Sequence, residues 1–274
     1  GRKPIEQYQS LATAPPPNVA YCGLRRAGAS ANDDWECMSY KNEQEIAVAP
    51  PAQAIPSYLQ ETYWWAYVHP NAVSFFERQW LVNLILWGNF NRLREAALAE
   101  LGREVPGRTL QVACVYGNFS EHLAARVAPG GTLDIVDVLP IQLRNMRGKL
   151  PASAPVTLHQ HDSTALGFGD AVYDQAVIFF LLHEQPAAAR RQTLREAVRV
   201  VKPGGKLVLV DYHLPHRLHP LRYLFRPVLR ALEPFALDLW QHKIAEWLPE
   251  SITPAQISKQ TYYGGLYQKL VISV

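Results

Sequence analysis

From Thr109 onward, runs of apolar residues of strand length alternate with segments of helical periodicity. Several of these runs are continuous rather than alternating, which is typical of strands that are buried on both faces of a sheet. The alternation predicts an α/β fold, a doubly wound and mostly parallel seven-stranded sheet. The predicted strands are 110–115, 132–138, 156–161, 175–182 and 206–212, and the predicted helices are 120–127, 140–150 and 187–201.

Two glycine-containing turns complete the pattern. The sequence "KPGGK", residues 202–206, predicts a turn between the last of these helices and its strand. The tail "ISKQTYYGGLYQKLVISV" predicts two strands that are joined through Gly264 and Gly265. We expect this hairpin to lie at the edge of the sheet, within a domain that covers residues 107–274.

The chain before this domain has a different texture. Residues 1–56 hold seven prolines and show little periodicity. They predict an irregular extension, which is either a flexible tail or a lid that orders on binding.

Residues 57–106 are dense in aromatic residues, and their apolar positions recur near helical spacing. They predict a helical cap of one or two helices, for which packing against the sheet is the simplest role. Adjacent aromatic residues, such as Trp64 with Trp65 and Phe75 with Phe76, cannot share one face of a helix. Some of these rings should therefore line a cavity or form an exposed apolar surface.

The overall composition is that of a globular protein, with 48% hydrophobic and 19% charged residues. A net charge of +3 without a lysine- or arginine-rich run argues against nucleic-acid binding. The three cysteines have no CxxC spacing, so we expect neither a disulfide framework nor a cysteine zinc site, which fits a reducing cytoplasm. The chain as given predicts neither a signal peptide nor a membrane-spanning helix.

Polar residues cluster at the carboxyl ends of the predicted strands. In an open parallel sheet the ligand lies beyond these ends, near the point where the strand order reverses. The sequence therefore predicts a ligand site there. Its members are Tyr116, Asn118 and Ser120 after the first strand, Asp137 after the second, His161, Asp162 and Ser163 after the third, His183 and Glu184 after the fourth, and Asp211, His213 and His216 after the fifth.

The segments "YDQAVIFFLLHEQP", "LREAVRVVKPGGKLVLVD" and "TYYGGLYQKLVISV" resemble the class I S-adenosylmethionine-dependent methyltransferases, especially those that act on quinones. The resemblance runs from Thr109 to the C-terminus and implies their Rossmann-like fold. It implies that Asp137 holds the ribose hydroxyls, that Asp162 and Ser163 contact the adenine edge, and that the loop after the first strand faces the methionine part. The implied cofactor-binding residues are Gln111, Ala113, Val115, Tyr116, Gly117, Asn118, Asp137, Val138, Asp162, Ser163 and Phe179.

The stretch "LQVACVYGNFSEHL" departs from that family. The family has an acidic residue followed by Gly-x-Gly-x-Gly, whereas these positions are Gln111, Ala113, Val115 and Gly117. Side chains on two former glycines keep the backbone farther from a ligand, and a neutral amide replaces the carboxylate that usually stabilises the amino group of the ligand. Either the domain no longer binds the ligand, or it holds it in a changed pose.

The whole chain resembles the RquA family of rhodoquinone biosynthesis proteins, through "QVACVYGNFSEHL", the aromatic cap and "FFLLHE". This resemblance implies that an amino group replaces a ring methoxy group of ubiquinone, with S-adenosylmethionine as the amino donor and a divalent metal, Mn²⁺, assisting. A nucleophilic amine must be uncharged, and loss of a neighbouring carboxylate lowers the pKa of that amine. Gln111 would then belong to the mechanism, and Tyr116 and His183 are the catalytic candidates.

For the implied metal we expect neighbouring strand ends to bring together His183, Glu184, Asp211 and His213, since Mn²⁺ accepts mixed carboxylate and imidazole ligands. The metal could polarise a quinone carbonyl. The alternative is that His183 and Glu184 only form local hydrogen bonds and that Asp211 caps its strand. We interpret His159 and His161 as structural.

Arginines at 217, 222, 226 and 230 predict a basic stripe on an otherwise apolar helix. Such a helix suits an anionic membrane surface, and a cover helix over the sheet is the equal alternative. Pro227 and Pro234 are expected to bend or break it. Because a polyprenyl quinone lies in the bilayer, we expect a cytoplasmic protein bound peripherally to the inner face of the cell membrane.

Amination of ubiquinone is therefore the leading hypothesis from the sequence. A conventional quinone or isoprenoid methyltransferase with an unusual loop is the second. The third is a non-catalytic methyltransferase-like protein that binds lipid or a partner.

Overall fold

A computed structural model of the protein describes residues 55–63, 73 and 75–274. Almost all of the predicted extension, and the adjacent Trp64 and Trp65, lie outside the described residues.

The described residues form a seven-stranded sheet in the order β3-β2-β1-β4-β5-β7-β6. Strands β1 to β5 run parallel to one another, and β7 runs antiparallel to both β5 and β6. This confirms the predicted fold class and the C-terminal hairpin. The strands are β1 Arg108–Val112, β2 Thr132–Asp137, β3 Val156–Gln160, β4 Tyr173–Phe179, β5 Val201–Tyr212, β6 Ile257–Tyr262 and β7 Tyr267–Ser273.

Helices flank the sheet and also precede it in the chain. Three of them, α1 to α3, lie in the predicted cap. Among the described residues the helices are α1 Ser57–Thr62, α2 Gln79–Ile85, α3 Phe90–Leu101, α4 Phe119–Ala124, α5 Pro140–Lys149, α6 Ala187–Val200, α7 Leu221–Leu232 and α8 Asp238–Gln241. Short 3₁₀ turns follow β4 at Leu182–Glu184 and α7 at Pro234–Leu237.

The central strands are buried on both faces. Leu110 and Val112 of β1 and Ala176 and Val177 of β4 have almost no exposed surface. A fully buried valine or leucine side chain stabilises the fold by about 1.5–3 kcal/mol, so this layer dominates the core. The continuous apolar runs of the sequence follow from this two-sided burial.

Several boundaries differ from the prediction. The strand predicted at 175–182 is Tyr173–Phe179 and the helix predicted at 120–127 is Phe119–Ala124, and three further differences are local. Strand β1 ends at Val112 because Ala113 has φ = +71°, outside the extended region, so Cys114 lies in a loop. Strand β5 begins at Val201, and the residues of the predicted turn bulge out where the register with β4 shifts. Helix α7 continues through Pro227 and ends before Pro234.

Candidate active site

A cavity opens at the carboxyl ends of β1, β2 and β4, where the strand order reverses between β1 and β4. The cap covers one side of it with Tyr58, Leu59, Phe76 and residues of α2. The strand ends supply the other walls, as the sequence predicts. Of the predicted cofactor-binding residues, the cavity is lined by Ala113, Val115, Tyr116, Asp137, Val138, Asp162, Ser163 and Phe179.

The loop after β1 contains a backbone conformation that favours glycine at a position that alanine occupies. Ala113 adopts the left-handed region, which costs a residue with a Cβ about 1–2 kcal/mol. The fully buried side chain of Gln111 supports this loop, because its Nε2 donates to the carbonyl of Ala113 at 3.0 Å and to Ser120 Oγ at 2.8 Å. A carboxylate cannot donate either bond. Gln111 therefore lies under the loop and does not line the cavity.

Two other predicted loop residues face α3 rather than the cavity. The Oδ1 of Asn118 accepts from Arg94 Nη1 at 2.6 Å. Gly117 lies against the ring of Phe90, whose Cζ would be 2.8 Å from a Cβ at that position. A larger residue at 117 would thus collide with the cap helix that closes the site.

Tyr116 lies between the loop and the cap. Its ring stacks on Phe76 with centroids 6.0 Å apart, and its hydroxyl accepts from Gln142 Nε2 at 2.9 Å. Burial raises the pKa of Tyr116, so the phenol keeps its proton. It can therefore donate a hydrogen bond into the cavity.

Asp137 is held by backbone groups. One carboxylate oxygen accepts from Cys114 N and the other from Leu139 N, both at 2.8 Å. Burial raises the pKa of Asp137 to about 6, although these bonds favour the charged form. Because each carboxylate oxygen has a further lone pair, Asp137 can still accept from two hydroxyl groups in the cavity.

The polar residues after β3 are also fixed by local bonds. Asp162 Oδ1 accepts from the backbone N–H and the hydroxyl of Thr164, at 2.8 and 2.7 Å. The hydroxyl of Ser163 bonds with Thr193 and accepts from Gln185 Nε2, both at 2.9 Å. Their positions beside the cavity are thus set by the protein itself.

The side of β4 and β5 carries a buried ion pair. His183 Nδ1 lies 2.9 Å from Asp211 Oδ1, and both side chains are almost fully buried. Burial lowers the pKa of His183, but the Asp211 carboxylate outweighs this effect and raises it to about 9. The imidazole is therefore charged at neutral pH and lines the cavity.

The four predicted metal ligands do not converge. Asp211 is occupied by His183 Nδ1 and by the backbone N–H groups of Leu182 and Tyr212, at 2.8 and 2.7 Å. His213 instead lies against the C-terminal hairpin, where its Nδ1 is 2.7 Å from the carbonyl of Gly265. Within residues 55–63, 73 and 75–274, no group of three or more histidine, cysteine, aspartate or glutamate side chains could hold a metal ion. The expectation that strand ends unite all four is wrong, because His213 lies one residue beyond β5 and turns to the hairpin.

The sequence reasoning missed Glu233 and Arg190. Glu233 follows α7, lines the cavity, and lies beside the hydroxyl of Tyr63, and burial raises its pKa. Arg190 is fully buried and donates to the carbonyls of Leu182, Gln185 and Phe235, at 2.8, 2.8 and 3.0 Å. It thereby fixes the turn that carries His183 against the segment that follows Glu233. The available signal for Glu233 was that it is the first acid after twenty-one residues, 212–232, that contain none.

His159 lies away from the cavity, as expected for a structural residue. Its Nε2 is 2.9 Å from Asp134 Oδ1, and its ring stacks on His161. His161 itself also lines the cavity.

The chain is similar to known proteins in its sequence and in its fold. Residues 109–205 match a family described as a methyltransferase domain. The chain is 30% identical over 139 residues to the ubiquinone/menaquinone biosynthesis C-methyltransferase UbiE of Ectopseudomonas mendocina, which covers 49% of this chain and 54% of that protein. It is 28% identical over 195 residues to the 2-methyl-6-phytyl-1,4-hydroquinone methyltransferase of Synechocystis, covering 67% of this chain and 55% of that protein.

The matched regions span only about half the length of these curated relatives. Among solved structures, the PH0226 protein of Pyrococcus horikoshii aligns with a TM-score of 0.52 and 15% identity, over 80% of this chain and 99% of that one. These matches show a methyltransferase-like Rossmann fold and, over part of the chain, similarity to quinone methyltransferases.

Proposed function

We propose that this protein transfers the amino group of S-adenosylmethionine to ubiquinone, in place of a ring methoxy group, to give rhodoquinone. The named relatives are quinone and hydroquinone methyltransferases, which supports a transferase that binds S-adenosylmethionine and an isoprenoid quinone. The step from methyl to amino transfer rests on the loop after β1.

The observation that carries the proposal is the neutral amide of Gln111, at the position where the methyltransferases that the chain resembles have an acid. The loop keeps its left-handed residue, and Gln111 supports it with two donated bonds. A bound donor would thus meet no carboxylate from position 111. Without that charge the amine of the donor loses a proton more easily, and only the neutral amine has a lone pair for attack.

The residues of the cavity suit the donor. Asp137 would hold the ribose hydroxyls, Asp162 and Ser163 the adenine edge, and the loop 113–116 the methionine part. Bound there, the donor supplies the nitrogen that becomes the ring amino group. The ring carbon gains a bond to nitrogen and loses its bond to the methoxy oxygen. To free the amino group, the hydrogens on this nitrogen and on the α-carbon of the donor move to the quinone oxygens, so that the α-carbon is oxidised to a C=N carbon and the ring is reduced to a hydroquinone. Water then cleaves the C=N bond, which leaves the α-keto acid of the donor and rhodoquinone in its reduced form.

The opposite wall supplies protons. His183 is protonated at neutral pH. Its Nδ1 bonds with Asp211, and its Nε2 lies 3.7 Å from Oε1 of Glu184, which also lines the cavity. His183 can donate its Nε2 proton to the departing methoxy oxygen, so that the group leaves as methanol. Tyr116 can donate to a quinone carbonyl. Because the four predicted metal ligands do not converge, no step through the implied Mn²⁺ follows from them.

The decisive experiment combines purified protein, a short-tail ubiquinone and S-adenosylmethionine labelled with heavy nitrogen at its amine, with mass spectrometry of the quinone. Parallel reactions contain Mn²⁺ or a chelator. Labelled nitrogen in the product supports amination, and its loss on chelation supports the metal requirement. An unlabelled or unchanged quinone contradicts the proposal.

Gln111→Glu tests the role of the missing charge. We expect it to abolish most amination, because it places a carboxylate under the loop, whereas Gln111→Leu, which loses the same two donated bonds without adding a charge, should retain more activity. The matched control is Gln175→Glu, since Gln175 is equally buried in β4, bonds to Thr109 and does not line the cavity. Full amination by folded Gln111→Glu protein would refute the mechanism.

Methyl transfer to a quinone is the second candidate, because the matched family and both named relatives are methyltransferases. Because every ring carbon of ubiquinone is already substituted, this candidate is tested in a parallel reaction with an isoprenoid hydroquinone that keeps a free ring C–H. A product that is heavier by one methyl group and contains no labelled nitrogen supports methyl transfer.

A further inference from the structure

Helix α2 presents large apolar side chains to solvent. Trp80 is 58% exposed and Leu84 is 64% exposed. Phe75 before the helix and Trp87 after it are each 46% exposed. Isolated exposed apolar residues are ordinary, but four on one short segment mark an interaction surface.

Helix α7 continues this surface. Leu221 and Leu229 face the core, whereas Leu224, Val228 and Leu232 are exposed. The two helices meet where the ring of Trp87 contacts that of Phe225, with centroids 6.1 Å apart. We call the exposed apolar side chains the docking surface, which comprises Phe75, Trp80, Leu84, Trp87, Leu224, Val228 and Leu232.

The exposed charge on the helices of the docking surface is positive. The acids at its two ends are turned away, since Glu77 pairs with Lys149 and Glu233 lines the cavity. Residues 213–232 contain four arginines and residues 78–93 contain two, and neither segment has an acidic residue, although the whole chain has 24 acids against 27 bases. Arg226 and Arg230 are exposed and lie one helical turn apart. In the part of the chain that the structure describes, neither forms an ion pair. An apolar surface bordered by unpaired arginines complements anionic lipid headgroups.

The docking surface borders the cavity. Ile85 of α2 is 41% exposed and also lines the cavity, together with Val82 and Leu86. Tyr212 and Glu233 line the cavity next to α7. A molecule that leaves the docking surface past Ile85 therefore enters the cavity without crossing bulk water.

We infer that the docking surface binds an anionic lipid bilayer and that a lipid-tailed substrate enters the cavity past Ile85. Helices α2 and α7 lie in the headgroup region, with their exposed apolar side chains toward the acyl chains. No helix of the described residues is long and apolar enough to cross a bilayer, so the contact is made from one side. The binding of lipid is independent of the group transferred, and only the entry of the substrate rests on the proposed function.

Vesicle flotation of the full chain tests the docking surface. We expect binding to vesicles of phosphatidylcholine with phosphatidylglycerol, weaker binding at high salt, and little binding to phosphatidylcholine alone. Because each cation contributes about 1 kcal/mol, the double variant Arg226→Gln/Arg230→Gln should bind roughly thirty-fold more weakly. Leu84→Gln/Leu224→Gln should also lose binding.

The matched control is Arg191→Gln/Arg195→Gln, which makes the same change at the same spacing on exposed positions of α6. It should bind like the unchanged protein, and circular dichroism should show that all variants are folded. Equal losses in both arginine pairs, or no preference of the unchanged protein for anionic vesicles, would overturn the inference. So would a dimer in light scattering that Leu84→Gln/Leu224→Gln converts to a monomer.

Substrate entry is tested by turnover. The docking-surface variants should process a short-tail soluble quinone normally and a polyprenyl quinone in vesicles poorly. An equal rate on both substrates would refute entry from the bilayer. If the unchanged protein processes neither quinone, the proposed function fails, while flotation still decides the docking surface.

Discussion

The two walls of the cavity are built in different ways. On the wall of β1 and β2, backbone groups fix the polar side chain, since Cys114 and Leu139 donate their N–H groups to the carboxylate of Asp137. On the wall of β4 and β5, ionisable side chains face one another, with His183, Asp211 and Glu233 all shielded from water. The first arrangement suits the binding of a fixed ligand, and the second suits the holding of protons.

The largest difference between the walls should appear on removal of Asp211. Asp211→Ala leaves the buried charge of His183 without its partner, which typically costs about 3–5 kcal/mol of unfolding free energy. Urea denaturation measures the loss. The control is Asp170→Ala, which removes an exposed partner of Arg199 and should cost at most about 1 kcal/mol. Equal losses would mean that the His183 pair is no stronger than a surface pair.

The two walls should also change the stability of the protein in different pH ranges. The pKa of His183 rises from 6.5 to about 9 on folding, so its stabilisation is complete below pH 6.5 and is lost as the pH rises through 9. This difference in pKa corresponds to about 3 kcal/mol. The pKa of Asp137 rises from 3.8 to about 6, so its ionisation lowers stability as the pH rises between these values.

Unfolding free energies measured across both pH ranges check this expectation. His183→Gln should flatten the upper range and leave the lower one unchanged. A variant that retains the upper decline would show that another group causes it.

A smaller effect is expected for ligand binding on the β1–β2 wall. Asp137→Asn should weaken binding of S-adenosylmethionine about 10–100-fold, because it removes charge-assisted hydrogen bonds of about 1.5–3 kcal/mol. Calorimetry with the donor alone measures this change. His183→Gln should leave donor affinity nearly unaltered. A comparable loss of affinity in this variant would show that both walls contribute to donor binding.

The smallest effect concerns the strained loop. Ala113→Gly should raise stability by about 1 kcal/mol, since glycine adopts φ = +71° without the Cβ penalty. The control Ala125→Gly lies at an ordinary helical φ of −68° and should lower stability by about 0.5–1 kcal/mol. Thermal unfolding compares the two, and a loss of stability in Ala113→Gly would show that the loop is not strained.

The fold was predictable because the strands bury both faces and so leave continuous apolar runs. The hairpin at Gly264 and Gly265 was equally clear, since both residues have positive φ, as its turn requires. The end of β1 was not, because alanine gives no sign of a left-handed conformation. The continuation of α7 through Pro227 was not predictable either, because a proline inside a helix removes a backbone hydrogen bond and usually bends or ends the helix.

Three residues of the candidate site could be placed at the cavity from the sequence, because a position at the end of a strand is enough to place them there. They are Asp137, Asp162 and His183. The direction in which a side chain turns was not predictable. Gln111 turns beneath the loop, Asn118 turns to Arg94, and His213 turns to the hairpin. The partners of Asn118 and His213 are distant in sequence. Those of Gln111 are near in sequence, but its direction depends on the conformation of the loop.

Lys149 connects the cap to the loop after β1. The two substrates of the proposed reaction would approach these parts from different sides. At the end of α5 its ammonium group donates to the carboxylate of Glu77, which precedes α2, and to the carbonyl of Gly117 in the loop after β1. Order in the loop and order in the cap are therefore coupled through one cation. Since such coupling is reciprocal, a donor that steadies the loop would favour the lipid substrate by the same free energy with which that substrate favours the donor.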